Sequence, residues 1–524
     1  MNTLVILFAD SKSEHIFDKC FNSLSAFDRS LLWAKKTCAE HKADFVLFCN
    51  NSIADKAREA INQAEIDSQI LGLDNWTVQD LFSNMSLEAQ KKNAKSIIFA
   101  YADQPLLNSE LTEKIISAHI EYNAEYTFAD GYLNGMSPEM LDAETAGILS
   151  KLAEIKEMGK TRVTRDSVFE FIKLDINSFE IETVIGEKDY KLFRINLNAE
   201  SKSNLLCCQE LLSKNIEKDS ALEICEKASQ ELNCIKTVPS YYNIQISGKN
   251  NLKSIYESAS QTIYNGSFID RSNFISLIDK IADFSRKAVV SLSLWGEALE
   301  HPDLISFVDA ILSHPGLSVL IETDGQKVTE VLAQKINEIC SKYPERTNGY
   351  EKILWIVKID SATKEMYQKI NGLDDGYDKA VFAVEVLSKY FAGSVYPQFT
   401  RINENEDELE TFYRYWSNPQ SPSKGKVIIQ KYSTFCGDLP DKKPADLSPL
   451  VRNVCWHLRR DLNVLADGRV PLCREVLDKK IIGNAFTQDL NEIWKESDTE
   501  VKSQIKNNYS EHCGKCDEYY TFNF

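Results

Sequence analysis

No stretch of this 524-residue sequence is apolar for long enough to cross a bilayer, which takes about 20 such residues. The apolar start, Thr3–Ala9, stops at Asp10, with no basic segment before it and no cleavage site after it. It therefore reads as a buried strand and not as a secretion signal. No long basic run is present, and the net charge is −18, which disfavours binding to a nucleic-acid backbone. Low-complexity segments and repeats are absent too. Beside 43% hydrophobic and 26% charged residues, these absences describe a soluble globular chain. Its length suggests roughly two to four domains. A cytoplasmic protein with no membrane and no nucleic-acid partner is expected.

Cysteine is not scarce. There are 13, but without a secretory signal a disulfide framework is not expected. Cys207, Cys208, Cys225, Cys234 and Cys340 read as buried thiols on helices. Four others form a pattern near the C-terminal end: Cys455, then Gly468 after twelve residues, Cys473 after four more, and finally Cys513-Gly-Lys-Cys516. Leu462–Leu465, a turn at Ala466–Arg469 and Val470–Leu472 predict a β-hairpin that carries Cys473 back beside Cys455. Two pairs of thiols can close around one metal centre. Zinc and an iron–sulfur cluster both suit four soft thiolates, although ribbon-type zinc sites usually present two close pairs.

Between the pairs stand Ile481-Ile-Gly483-Asn484 and Leu490-Asn-Glu-Ile493-Trp494. The whole string resembles the SPASM or shortened "twitch" module of radical SAM enzymes. That resemblance implies one [4Fe–4S] cluster on Cys455, Cys473, Cys513 and Cys516, with zinc as the alternative. A full SPASM domain has further cysteines after the last pair. None follows here before Phe524, so a single cluster is expected. Cys436 is a fifth candidate, read as a loop thiol because the other four already complete a site.

Residues 1–235 alternate strands and helices, which predicts a doubly wound α/β domain with ligands at the carboxyl ends of its strands. Ala102-Asp103-Gln-Pro105-Leu-Leu107, together with Ala129-Asp130-Gly-Tyr-Leu-Asn-Gly135, resembles segments of nucleotidyltransferases, the sugar-acid cytidylyltransferases in particular. The resemblance implies a GT-A-like fold, with Asp103 and Asp130 as Mg²⁺ and nucleotide residues. Those enzymes cradle phosphates in a Gly-rich loop with basic residues. Here Asp10-Ser-Lys12-Ser-Glu14-His15 has no Gly and two acids, which predicts the fold without the transfer activity.

From 236 to 435, repeated βα units without a Rossmann Gly loop predict a full or partial barrel. Gly296-Glu297-Ala298, Thr323-Asp324-Gly325 and Asp360 with Asn371-Gly372 resemble, in order, motifs of the radical SAM barrel. The resemblance implies that the 296–298 motif contacts the SAM amino group. The loop that should read Cys-x3-Cys-x2-Cys instead holds Asn250, Ser254 and Glu257. An amide, a hydroxyl and a carboxylate are too hard a ligand set for a cluster. Without that cluster nothing reduces SAM, and Ala298 and Asp324 depart from the SAM-contact motifs as well.

The three parts together resemble the spirochaete "spiro-SPASM" family, including Tyr432–Pro440 and Asp446-Leu447-Ser-Pro-Leu450 at the entry to the last module. The expectation is a nucleotidyltransferase-like domain, a radical SAM-like partial TIM barrel, and a SPASM/twitch domain over 436–524. Its function would be electron transfer or the binding of a peptide or protein partner. The alternatives are a Mg-dependent nucleotidyltransferase and a radical SAM enzyme ligated through Glu257. The loop geometry is also an expectation: Asn250, Ser254 and Glu257 together, facing Glu297, with Lys253 or Lys358 offsetting one acid.

Overall fold

The computed structural model describes residues 2–13, 15–257, 265–446 and 448–520; Glu14, Leu447 and Phe524 lie outside them. The chain divides into two compact units, Met1–Thr237 and Val238–Phe524. No helix among the described residues is long and apolar enough to cross a membrane.

The first unit is built on a seven-stranded sheet. Its strands are β1 (Thr3–Ala9), β2 (Asp44–Asn50), β3 (Gln69–Leu73), β4 (Ser96–Tyr101), β5 (Tyr126–Asp130), β6 (Glu139–Asp142) and β7 (Ile181–Ile185), in the order β3-β2-β1-β4-β6-β5-β7. Only β6 runs antiparallel. All seven residues of β1 are buried, as an inner parallel strand covered on both faces requires. The covering helices start at sequence-coded caps. Ser25 and Asp28 cap each other's backbone N–H groups ahead of Ala26–His41, and Thr77 and Asp80 do so ahead of Val78–Lys91. The strand order reverses direction between β1 and β4, so the binding crevice of such a sheet opens beyond their carboxyl ends.

The second unit is a partial barrel. Its strands are β8 (Tyr241–Ile244), β9 (Ala288–Ser291), β10 (Leu317–Thr323), β11 (Ile353–Lys358), β12 (Val395–Arg401), β13 (Ile428–Lys431) and β14 (Asp461–Val464). They form one parallel sheet in the order β13-β12-β11-β10-β9-β8-β14. Thr329 and Thr363 cap two of its outer helices. Strand side chains alternate between faces. Val290, Val319, Ile321 and Trp355 pack outward under the helices, while Val289, Leu320, Leu354, Ile356 and Ile428 make an apolar floor inside. Two residues further along each strand the same inner face turns polar, with Glu322 after Leu320, Lys358 after Ile356 and Gln430 after Ile428. The floor therefore seals the bottom of the barrel and the polar ring faces its top.

The predicted C-terminal hairpin does not form. The turn is present, with Leu465 N–H donating to the Arg469 carbonyl and Gly468 at φ +86°, but its two arms join different sheets. β14 pairs in parallel with β8, whereas β15 (Arg469–Pro471) pairs antiparallel with β16 (Ile481–Asn484). All four residues of β14 are buried, which the barrel edge provides and a two-stranded ribbon would not. The cysteine-rich module is thus sewn into the barrel sheet.

Candidate metal centre and barrel cavity

A cavity of about 1430 Å³, counting its open mouth, lies over the polar ring. Its walls come from the strand ends, from the loop after β8, and from the C-terminal module through His457, Arg460, Arg474, Glu475 and Glu518. His457 and Asp461 are 2.6 Å apart, and Arg460 pairs with the same carboxylate. Burial opposes ionisation there, but Arg460 and His457 hold Asp461 down to about 2.

The loop after β8 alternates buried and exposed residues, with Leu252, Ser254 and Tyr256 turned in. Each inward residue has a protein partner. Ser254 Oγ donates to Asn371 Oδ1 at 2.6 Å, and Tyr256 donates to Asp360 at 2.5 Å. Asn250 Nδ2 donates to Glu257 at 3.1 Å, and Lys358 stands 3.4 Å from the same carboxylate. Asn250 and Glu257 therefore come together on the cavity wall, and Lys358 supplies the cation. Ser254 departs from the expected grouping: it does not line the cavity, because a buried hydroxyl is held by the nearest acceptor, here on Asn371. The three positions are tied into the protein's own hydrogen bonds.

Glu297 follows a sharp crossing. Gly296, at φ +130°, lies so close to the loop after β8 that a Cβ would meet the Ser247 carbonyl at 1.9 Å. The Glu297 carboxyl accepts from Leu299 N–H at 3.0 Å, Thr323 Oγ1 at 2.9 Å and Asp324 N–H at 2.9 Å. Ala298 is buried beneath it. Burial pushes Glu297 well above the carboxylate range and the adjacent Asp324 carboxyl adds to it; Asp324 is itself raised by burial. The acid that matters to Glu297 is thus Asp324, where the related motif has Asn.

This pair gives a pH-dependent prediction. A carboxyl whose folded pKa is raised contributes stability below its unfolded pKa and loses it as pH rises through the folded value. Asp324→Asn removes one acid and keeps the shape. The variant should melt higher than wild type at pH 8, by about 1 kcal/mol or roughly 2–4 °C, and the gap should close only as pH falls to about 4. Thermal unfolding at both pH values checks it, and a lower melting point at pH 8 refutes it.

The thiols gather at the other side of the module. Cys455 opens the short helix Trp456–Arg460 that leads into β14, and its N–H donates to Gln504 at 3.1 Å. Cys473 follows β15, and Cys513 and Cys516 sit on the last turn, Glu511–Lys515, and just past it. Arg452 lies between the rings of Tyr509 and Tyr519, 4.2 and 4.6 Å from their centroids, and donates to the Cys513 carbonyl, which pins this turn. Cys455, Cys473 and Cys513 each lie within electrostatic reach of Cys516. Cys436 joins them, within electrostatic reach of Cys516 and Cys473. Burial raises Cys455, Cys473 and Cys513, the last to about 11. Among the described residues no three His, Cys, Asp or Glu side chains are placed to hold a single metal ion.

In the first unit Asp103, 2% exposed, stands at the β1–β4 crevice. Its carboxylate accepts from Ser13 Oγ at 2.7 Å and pairs with Arg165 at 2.6 Å. Arg162 pairs with Asp10 beside it. Asp130, at the end of β5, pairs with Lys191. Each acid named from the sequence already has its own cation, and the two share no hydrogen bond or ion-pair partner. No sequence motif announced Arg162 and Arg165.

Four similarities bear on the chain. A family model described as an iron–sulfur cluster-binding domain, SPASM, matches residues 455–517. An uncharacterised protein of Treponema pallidum (strain Nichols) is 39% identical over 366 residues, which is 68% of this chain and 98% of that one. Solved structures are more distant. A cytidylyltransferase from Leptospira borgpetersenii shares 14% identity over 45% of this chain and 98% of its own, at a TM-score of 0.38. SuiB of Streptococcus suis, bound to precursor peptide SuiA, shares 14% over 67% of this chain and 78% of its own, at 0.39.

Proposed function

We propose, on the premise that this chain belongs to one family with the Treponema pallidum protein and carries a SPASM iron–sulfur cluster-binding domain, that it is a cluster protein that does not cleave SAM. In this reading it belongs to the spiro-SPASM subgroup, resides in the cytoplasm, and holds one [4Fe–4S] cluster. Cys455, Cys473 and Cys516 are three of the ligands, and the fourth is Cys513 or Cys436. It works as an electron carrier that takes a peptide or partner segment into the adjoining cavity.

The observation that carries this reading is the contrast between the loop after β8 and the C-terminal module. On one side, the positions that hold the SAM-cleaving cluster in radical SAM barrels are Asn250, Ser254 and Glu257, all engaged by protein partners. On the other, the buried thiols Cys436, Cys455, Cys473 and Cys513 remain with the half-buried Cys516. A bound cluster supplies one-electron transfer, at a potential set by burial and by hydrogen bonds to its sulfurs. The chain's own residues supply the setting. Glu518 N–H donates to Cys516 Sγ at 3.3 Å, and Lys431 lies 3.3 Å from the Glu518 carboxylate. Arg474, beside Cys473, brings a partly exposed positive charge to the same wall.

Anaerobic purification followed by iron and acid-labile sulfide analysis tests the cluster. About four of each per chain and broad visible absorbance are expected. The reduced protein should release no 5′-deoxyadenosine from SAM. A colourless zinc protein overturns the first half, and SAM cleavage overturns the second.

A further inference from the structure

We infer that the barrel cavity binds a peptide through a primary ammonium group, which is received at the Glu297–Asp324 acid pair, and that Asp324 selects it. This deepens the reading above, that the cavity takes a peptide or partner segment, and rests on it.

The charge balance of the cavity is the first argument. Seven acids line it, and five of them have a lysine, arginine or histidine within 3.8 Å. The other two are Glu297 and Asp324, each 4% exposed, and among the described residues neither makes an ion pair. Lys358 bears on Asp324 from a distance but is held by Glu257 at 3.4 Å and by Glu322 at 3.8 Å. The Asn251 amide also bears on Asp324, yet it is neutral and cannot balance the charge. Two adjacent buried carboxyls without a cation are costly unless one keeps its proton or a ligand brings the charge.

The second argument is two orphaned atoms. Asp324 Oδ1 accepts from Gln326 N–H at 2.9 Å, but Oδ2 is buried and has no hydrogen-bond partner. Trp295 is 6% exposed, lines the same cavity, and its indole N–H has no acceptor. Such atoms in a buried wall call for a partner. An ammonium group supplies donors for Asp324, and a peptide carbonyl supplies an acceptor for Trp295. The backbone holds these side chains in place. Trp295 has φ 46°, a strained conformation for a bulky residue, which persists only where the surroundings impose it. Here Gln245 Nε2 donates to the Trp295 carbonyl at 2.9 Å, and Glu297 N–H donates to the Lys249 carbonyl at 2.7 Å.

A divalent metal ion fits less well. Magnesium and calcium take about six or more oxygens, and no third acid or histidine is placed beside the pair among the described residues. SAM also carries a primary amine and is therefore one arm of the test.

Full-length wild type and Asp324→Asn, purified anaerobically, are titrated by calorimetry at neutral pH. The probes are tetra-alanine amide with a free N-terminus, the same peptide N-acetylated, and an N-acetylated Ala-Lys-Ala-Ala amide, with SAM and magnesium chloride each run alone. Wild type should bind at least one of the amine-bearing peptides about tenfold or more tighter than acetylated tetra-alanine. The tighter of the two shows whether the α- or the lysine ammonium is the one received. Asp324→Asn should lose that preference without melting lower than wild type, so the loss is not misfolding. Trp295→Phe, which keeps a ring and removes the N–H, should weaken the preferred peptide several-fold. Equal affinity for all three peptides in wild type needs no variant to read: it overturns the inference and leaves the peptide reading standing. A preference kept by Asp324→Asn overturns the assignment to this pair. Binding of none of the peptides, whether or not SAM or magnesium binds, overturns the inference together with the peptide half of the reading above. The cluster half is read separately, by iron.

Discussion

Cys516→Ser is expected to empty the protein of iron. Cys516 is the thiol at the centre of the group: Cys436, Cys455, Cys473 and Cys513 each sense its charge. Serine preserves the size of the side chain but offers a hard oxygen of high pKa in place of a soft thiolate. Neither assignment of the fourth ligand can spare this position. Iron should fall at least fivefold from about four per chain, and the visible absorbance should go with it. Cys340→Ser, at a buried thiol on an outer helix of the barrel, is the control and should leave iron unchanged. Equal iron in the two variants would mean that the metal is held elsewhere.

The second large effect lies in the other unit. Arg165→Ala should destabilise the protein by about 3 kcal/mol, because removing one partner of a buried ion pair leaves an uncompensated charge. The Asp103 carboxylate is buried and keeps only the Ser13 hydroxyl once the guanidinium is gone. Arg165 also lies over the Tyr101 ring at 5.0 Å and reaches Glu200 at 3.2 Å, so more than one contact is lost. Adding Asp103→Asn to the variant should recover part of the loss, with a coupling of about 1–3 kcal/mol. Urea unfolding of the single and double variants measures it, and a cost below about 0.5 kcal/mol for Arg165→Ala would show the pair to be loosely solvated.

Much of the fold is legible because periodic apolar patterns and caps are local. The pattern of Ser96–Tyr101 and of Val395–Arg401 predicts those strands residue for residue, and the helices that the periodicity predicts over Arg271–Phe284 and Tyr377–Phe391 form as Arg271–Ser285 and Gly376–Tyr390. β13 is a short strand that no local pattern separates from loop, whereas β14 is legible as a strand and only its partner, far away in sequence, is not. The hairpin fails for the same reason: the turn residues are right, yet the competing partner for Asp461–Val464 is β8. At the sites, residue types point to the Asn250–Glu257 loop and to four of the thiols. Cys436 carries no motif, and its loop is fastened to the module by side-chain bonds from Ser433 to Glu475 and from Thr434 to Asp517 that no local pattern announces. Asp324 is visible as a departure from a motif, but its carboxyl contact with Glu297 depends on how the two loops meet.

The pairing of β14 with β8 has a consequence for how this protein is made. A buried hydrogen bond from Asn243 to Asn463 joins positions 220 residues apart. During synthesis the first barrel strand emerges long before the strand that covers its edge. Until then β8 offers an open row of backbone donors and acceptors, the kind of edge that recruits other chains. Contacts so distant in sequence also slow folding, because the chain must close a long loop before any reward is collected. A product truncated ahead of Asp461 should therefore aggregate rather than yield a smaller working barrel, and the full chain should refold slowly from denaturant, with the last strand deciding when the barrel is finished.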